Sequence, residues 1–220
     1  DEGDWIVVRD KAFYQEKKQE ITVATDADKA ALDATYKGKT VKYGEMHDHT
    51  NATPRADGSN SLAEWKVEMD RLGMDFATIV DHGQSQHMYH QDWDETYFVG
   101  GSEPGTAITD SKAAKRSPHY NMIFSDPAQL EALVEKWSHR YTISRSAEEN
   151  AKFTPDLPGI LFTYPSFTTA QFSQLAKDVY EYGGLFVLVH PKEKHAYIDS
   201  EDPLDYFFAD YTGMEINTGA

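Results

Sequence analysis

The chain has 220 residues, of which 37 are acidic and 21 basic, for a formal net charge of -16, with 40% hydrophobic and 13% aromatic content. That length suits one large domain or a domain with an appendage, and so acidic a surface repels phosphate backbones and anionic membranes, which argues against nucleic-acid and membrane partners. The absence of cysteine excludes thiolate zinc sites, disulfides and cysteine nucleophiles, and no apolar run is long enough to span a bilayer.

Residues 1–40 read as an N-terminal extension or the tail of a preceding domain. They hold a strand candidate, Trp5-Ile6-Val7-Val8, and an alanine-rich helix candidate, Asp26 to Tyr36, but no site pattern. From residue 41 to 220 a β-then-α rhythm sets in. Val41 to His49 reads as a strand. Ser61-Leu62-Ala63-Glu64 is a capping box opening a helix whose Leu62, Trp65, Met69 and Leu72 repeat at helical spacing up to Gly73. Asp75 to Val80 is a short apolar strand that delivers Asp81-His82. Residues 83–96, polar and histidine-rich, read as a loop over the site.

Tyr97 to Glu103 and His119 to Phe124 are further strands. Asp126-Pro127 then begins a helix with an aspartate cap and proline in the first turn. Residues 140–158 read as a connection, Gly159 to Tyr164 as a strand, and Thr169 to Tyr182 as a helix stopped by Gly183-Gly184. Leu185 to Val189 is a buried strand leading to His190, Asp202 to Phe208 a helix, and Gly213 to Asn217 a last strand. Strands alternating with helices predict an α/β fold with a parallel sheet.

His47 and His49 are two apart near the end of the first strand, so both imidazoles point to one side and can share an ion. His82, Glu103 and His190 follow the ends of later strands, the end where catalytic groups gather in a parallel barrel. His119 opens its strand instead of closing it. Imidazole and carboxylate without sulfur suits zinc, manganese or iron, and Asp48 and Asp81 are candidate acceptors for the second nitrogen of a ligating ring. His87 and His90 read as exposed loop residues and His139 as a surface residue. Arg55, Arg116, Lys192 and Lys194 lie near the motifs, with Arg55 and Lys192 the candidates for contacting a substrate phosphate.

Met46-His47-Asp48-His49-Thr50, Ala56-Asp57-Gly58, Thr78-Ile79-Val80-Asp81-His82, Gly101-Ser102-Glu103, His119, His190-Pro191 and Glu215-Ile216-Asn217 resemble, in that order, the motifs of the PHP (polymerase and histidinol phosphatase) family of metal-dependent phosphoesterases. The resemblance covers residues 43–217. It implies a distorted (βα)7-type barrel with two or three divalent ions at the strand ends. His47 and His49 would hold a first ion, Glu103 would bridge it to a second completed by His119 and His190, and Asp57 and His82 would serve a third. The family closes its site with an Asp-x-His pair after the segment like Glu215-Ile216-Asn217. No such pair precedes Ala220, so the barrel is expected to lack its closing strand here and the chain to be part of a longer protein with further domains.

The function implied is hydrolysis of a phosphomonoester or phosphodiester of a small molecule by metal-activated water, with no protein nucleophile. A cleft carrying bound cations can take a phosphorylated small molecule despite the acidic surface. Two rivals stand beside it. One is an amidohydrolase-type metal hydrolase, which also opens on His-x-His but bridges its ions with a lysine on a middle strand. The other is a non-catalytic metal-binding accessory domain.

Overall fold

In the computed structural model the described residues are 37–38, 42–53, 56–110, 119–138, 157–162, 166–190 and 211–215. The chain divides into two compact units, Asp1–Val41 and Lys42–Ala220, and the fold below belongs to the second. The expected elements at Trp5 to Val8, Asp26 to Tyr36 and Asp202 to Phe208 lie outside the described residues, as do Arg55, Arg116, His139, Lys192, Lys194 and His195.

The unit is a mixed α/β structure. Strands β1 (Gly44–Asp48), β2 (Phe76–Ile79), β3 (Phe98–Ser102), β4 (Tyr120–Phe124), β5 (Leu185–Leu188) and β6 (Thr212–Met214) form one sheet in chain order, with helices α1 (Leu62–Leu72), α2 (Pro127–Ser138) and α3 (Thr169–Glu181) between them. β1, β2 and β3 run parallel, as do β5 and β6. β4 runs antiparallel to both β3 and β5. The expected all-parallel sheet is therefore corrected at one strand: no helix intervenes in the sheet's path from Ser102 to Tyr120 among the described residues, and a parallel return needs a crossover element.

The sheet is curled. Six flat strands would set the outer two about 24 Å apart at the usual strand spacing. Yet Nδ1 of His47 on β1 lies 3.4 Å from Oε2 of Glu215, the residue just beyond β6. Only a half-barrel brings the two edges that close at one end.

Local chemistry sets the element boundaries. Ser61 caps α1 by accepting the Glu64 N–H while Glu64 accepts the Ser61 N–H, and Gly73 closes the helix in the left-handed region with φ 67. Asp126 caps α2 through the Ala128 N–H. Thr168 and Gln171 form a second capping box at α3. Gly159 to Tyr164, expected as a strand, contributes a single bridge between Gln84 and Leu161, and Tyr164 lies outside the described residues. Leu185, expected to be buried within a covered strand, is exposed.

The main core packs α2 and α3 on β4 and β5. Tyr120, Phe172 and Phe186 form a closed aromatic triangle with centroid distances of 5.0, 5.3 and 5.0 Å. A smaller core seats α1 on β2 and β3 through Leu62, Met69, Ala77, Ile79 and Phe98. Because Tyr120 follows His119, the triangle also anchors the strand start that carries that histidine. Phe172→Ala should cost about 3–5 kcal/mol, the usual range for deleting a buried aromatic. Chemical denaturation checks it, and a loss under about 1 kcal/mol would show that the core is loosely packed there.

Candidate metal centre

The strand ends form a ledge. The Val80 N–H donates to the Asp48 carbonyl, the Glu103 N–H to the Val80 carbonyl and the Glu215 N–H to the Leu188 carbonyl. Successive strand ends are thus locked in step, and the residues just beyond them converge. The antiparallel course of β4 explains His119. The start of β4 lies at the same end of the sheet as the finish of its neighbours, as the Gly105–His119 bridge shows. His119 opens its strand, as read from the sequence, and still reaches the site.

Glu103 is the centre of this ledge, with its side chain 1% exposed. Its Oε1 lies 2.8 Å from His119 Nδ1 and 2.9 Å from His190 Nε2. Its Oε2 lies 2.8 Å from His49 Nε2, 3.1 Å from His47 Nε2 and 3.4 Å from His82 Nδ1. Five imidazoles thus surround one carboxylate. Burial alone would favour the neutral acid, but hydrogen bonds from His119, His190, His47 and His49 outweigh it and hold the carboxyl far below the usual carboxylate range.

His47 shows the reciprocal effect. Burial opposes its charge, yet Glu103 and Glu215 raise its pKa to about 10.

The other sequence candidates fall into place around this pair. Asp57 lies 3.5 Å from His49 Nδ1 and 3.3 Å from His82 Nε2. Gly58 makes the approach possible: a Cβ there would collide with the backbone of His49 and Thr50, so only glycine lets the Asp57 segment lie against the end of β1. His87, expected to be exposed, is completely buried, as are residues 84–88 of the segment expected to be a loop over the site. Polarity misled the reading, because three of these polar residues are buried with hydrogen-bond partners, Gln84 with Thr53, Ser85 with Glu131, and Gln86 with the Leu157 carbonyl, while both His87 nitrogens are buried without one.

Asp48, a candidate acceptor for a histidine, does not serve as one. Its buried Oδ2 lacks a hydrogen-bond partner, and burial, aided by Glu45, pushes its pKa up to about 7. Asp81 does sit near a ring, 3.9 Å from His49 Nδ1.

Glu215 has a role the sequence reading did not assign. Its carboxylate accepts the His190 N–H at 2.7 Å, and His190 holds a positive φ of 31, a conformation that costs a non-glycine residue about 1–3 kcal/mol. Glu215 pins that strained residue, and burial notwithstanding, His47 and the His190 N–H keep its own carboxyl below the ordinary value. The available signal was an acidic residue directly after a short strand, the same pattern that marked Glu103.

Among the described residues, three groups of side chains bring one ligand atom each within 4.8 Å of one another: His47, Glu103 and His190; His49, Asp57 and His82; and His82, Glu103 and His119. The donor set fits a divalent cation on chemical grounds. His47 Nε2 and His49 Nε2 face each other at 3.2 Å, an arrangement that needs a proton or a shared cation between two lone-pair donors. The described lysines and arginines with ion pairs, Lys42, Arg71, Lys136 and Lys177, pair with Asp75, Glu68, Asp178 and Glu181, away from this cluster.

No protein-family model matches the chain, and no curated protein does. Among solved structures it is similar to a proposed metal-dependent phosphoesterase of Bifidobacterium adolescentis, at 16% identity and TM-score 0.43 over 79% of this chain and 77% of that one. It is also similar to a lesion-specific endonuclease of Pyrococcus furiosus, at 14% identity and TM-score 0.42 over 71% of this chain and 36% of that one. The second finding overturns the exclusion of nucleic acid drawn from net charge. A whole-chain charge is a sum over the surface and does not fix the potential within one cleft. Among the described residues no helix is long and apolar enough to cross a membrane.

Cation binding at His47 must displace the proton that its raised pKa keeps in place. Between the ordinary histidine value of 6.5 and about 10 the metal-free protein holds this proton, so affinity should rise with pH through that window and binding should release a proton. Calorimetric titration of Zn2+ or Mn2+ in buffers of different ionisation enthalpy measures the release. Binding that releases none at pH 7.5 would show that His47 is not among the groups that meet the ion.

Proposed function

We propose that the chain is a metal-dependent phosphoesterase of the PHP type, hydrolysing a phosphomonoester or phosphodiester. The observation that carries this reading is the buried Glu103 carboxylate with both oxygens in contact with histidines from four other strand ends. A carboxylate so placed would serve two cations. His47 and His49 would hold the first with Oε2, His119 and His190 the second with Oε1, and Asp57 with His82 a third. Zinc, manganese and iron all suit this donor set.

Divalent ions held there supply Lewis-acid polarisation of a phosphoryl oxygen and a lowered pKa for water, so the reaction needs no nucleophilic side chain. The chain's own residues bind and orient. Glu103 would supply the negative charge that holds the cations. Glu215 fixes the backbone of His190 so that its Nε2 meets Oε1. Asp57 holds His49 and His82 from the solvent side.

His82 has the most open of the five rings around Glu103, with its side chain 35% exposed, and the substrate enters past it. Arg55 and Lys192 are the proposed contacts for phosphate oxygens.

The amidohydrolase alternative is weaker on one point: none of the described strands carries a lysine, whereas Glu103 would fill the bridging place. The accessory-domain reading is separated from catalysis by turnover alone. With Mn2+ or Zn2+ added, the protein should release product from at least one member of a panel of phosphomonoesters, small phosphodiesters and oligonucleotides, and Glu103→Gln should abolish that release. Tight metal binding with no turnover across the panel would favour the accessory reading, and equal activity of the Glu103→Gln variant would remove Glu103 from the mechanism.

A further inference from the structure

His87 lies on the short 3-10 turn Gln86–Tyr89, is wholly buried, and bears none of the ligand roles assigned above. Both of its ring nitrogens are buried without a hydrogen-bond partner, Nδ1 lies 3.6 Å from Oδ2 of Asp81, and Trp93 lies against the ring at 5.8 Å between centroids. Asp81 is also wholly buried. Its two oxygens accept the Thr50 N–H at 2.7 Å and the Thr50 hydroxyl at 2.8 Å. Among the described residues two rings approach its carboxylate, His87 at 3.6 Å and His49 at 3.9 Å.

The chain order gives this arrangement its meaning. Thr50 directly follows His49, and Asp81 directly precedes His82. One buried carboxylate therefore ties together the ends of β1 and β2, and the rings of His49 and His82 sit 4.6 Å apart on that tie. A buried carboxylate keeps its place only while donors surround it. Thr50 supplies two from the β1 end. His87 is the ring nearest the same carboxylate from the 3-10 turn, an element that carries no metal-binding candidate.

We propose that His87 is a positioning residue of the metal centre, acting through Asp81 to fix the spacing and orientation of His49 and His82 around Asp57. The inference rests on the metal centre proposed above. It couples the buried segment 84–88 to one side of that centre, the His49/Asp57/His82 group.

The test is calorimetric titration of Zn2+ or Mn2+ into the whole protein and its His87→Phe variant, which keeps a buried ring against Trp93 and removes both nitrogens. Loss of an outer hydrogen-bonding partner typically lowers metal affinity about 10–100-fold. That loss is expected in the binding that uses His49 and His82, with binding on the His119/His190 side of Glu103 unchanged. A residue that merely fills space would alter the melting temperature and leave every step as in the wild type, and this result overturns the proposal. Wild-type protein that binds no metal would overturn the metal centre itself, a distinguishable outcome. If His87→Phe does not fold, His87→Gln and His87→Met make the same comparison at similar bulk, with and without an N–H donor. Weaker binding by the Met variant alone supports the proposal, and equal binding by the two overturns it.

Discussion

The structure turns on one buried carboxylate that cannot be left alone. An ionised glutamate nearly closed to water is costly unless opposite charge or several donors meet it. Glu103 meets His119 and His190 on one oxygen and His47, His49 and His82 on the other. These residues come from β1, β2, β4 and β5 or the turns just past them, so the carboxylate also draws together the open end of the curled sheet. Without a cation, raised protonation of His47 offsets part of its charge. With cations, as proposed above, the same donors would become ligands.

The reversed strand is what makes the ring of histidines complete. In an all-parallel sheet a residue that opens a strand lies at the far end from residues that close their strands, and His119 would be remote from Glu103. Because β4 runs against β3 and β5, His119 arrives beside Glu103 with Tyr120 facing the opposite way, into the aromatic triangle under α2 and α3. Site and core are thus successive residues of one strand, placed on opposite faces by its period of two. Glu215 acts similarly at the other edge, reaching back to His47 across the mouth of the half-barrel.

Much of this was legible in the residues. The spacing of His47 and His49, the capping box at Ser61 and Glu64, and histidine or glutamate at the ends of apolar runs are local signals, and local signals survive folding. The direction of β4 was not legible, because an apolar strand looks the same read from either end and direction is set by what connects it. The burial of residues 84–88 was hidden for another reason. Their side chains are polar, and only the fold shows that partners such as Glu131 and Thr53 meet them in the interior. Asp57 was legible as a residue but not as a neighbour of His49, since the close approach at Gly58 depends on contacts between chain segments. His87 combines both difficulties, being polar, buried and near the site, among the described residues, through its approach to Asp81.

The claim on which all of this rests is that Glu103 bridges cations. Anomalous diffraction from crystals grown with Mn2+ or Zn2+ tests it most directly. The account predicts a peak beside each Glu103 oxygen, at the roughly 2.0–2.2 Å typical of carboxylate–zinc contacts, with His47 and His49 nitrogens about one peak and His119 and His190 about the other. A metal-soaked structure in which Glu103 remains hydrogen-bonded to protonated histidines, with ions elsewhere or none at all, would contradict it.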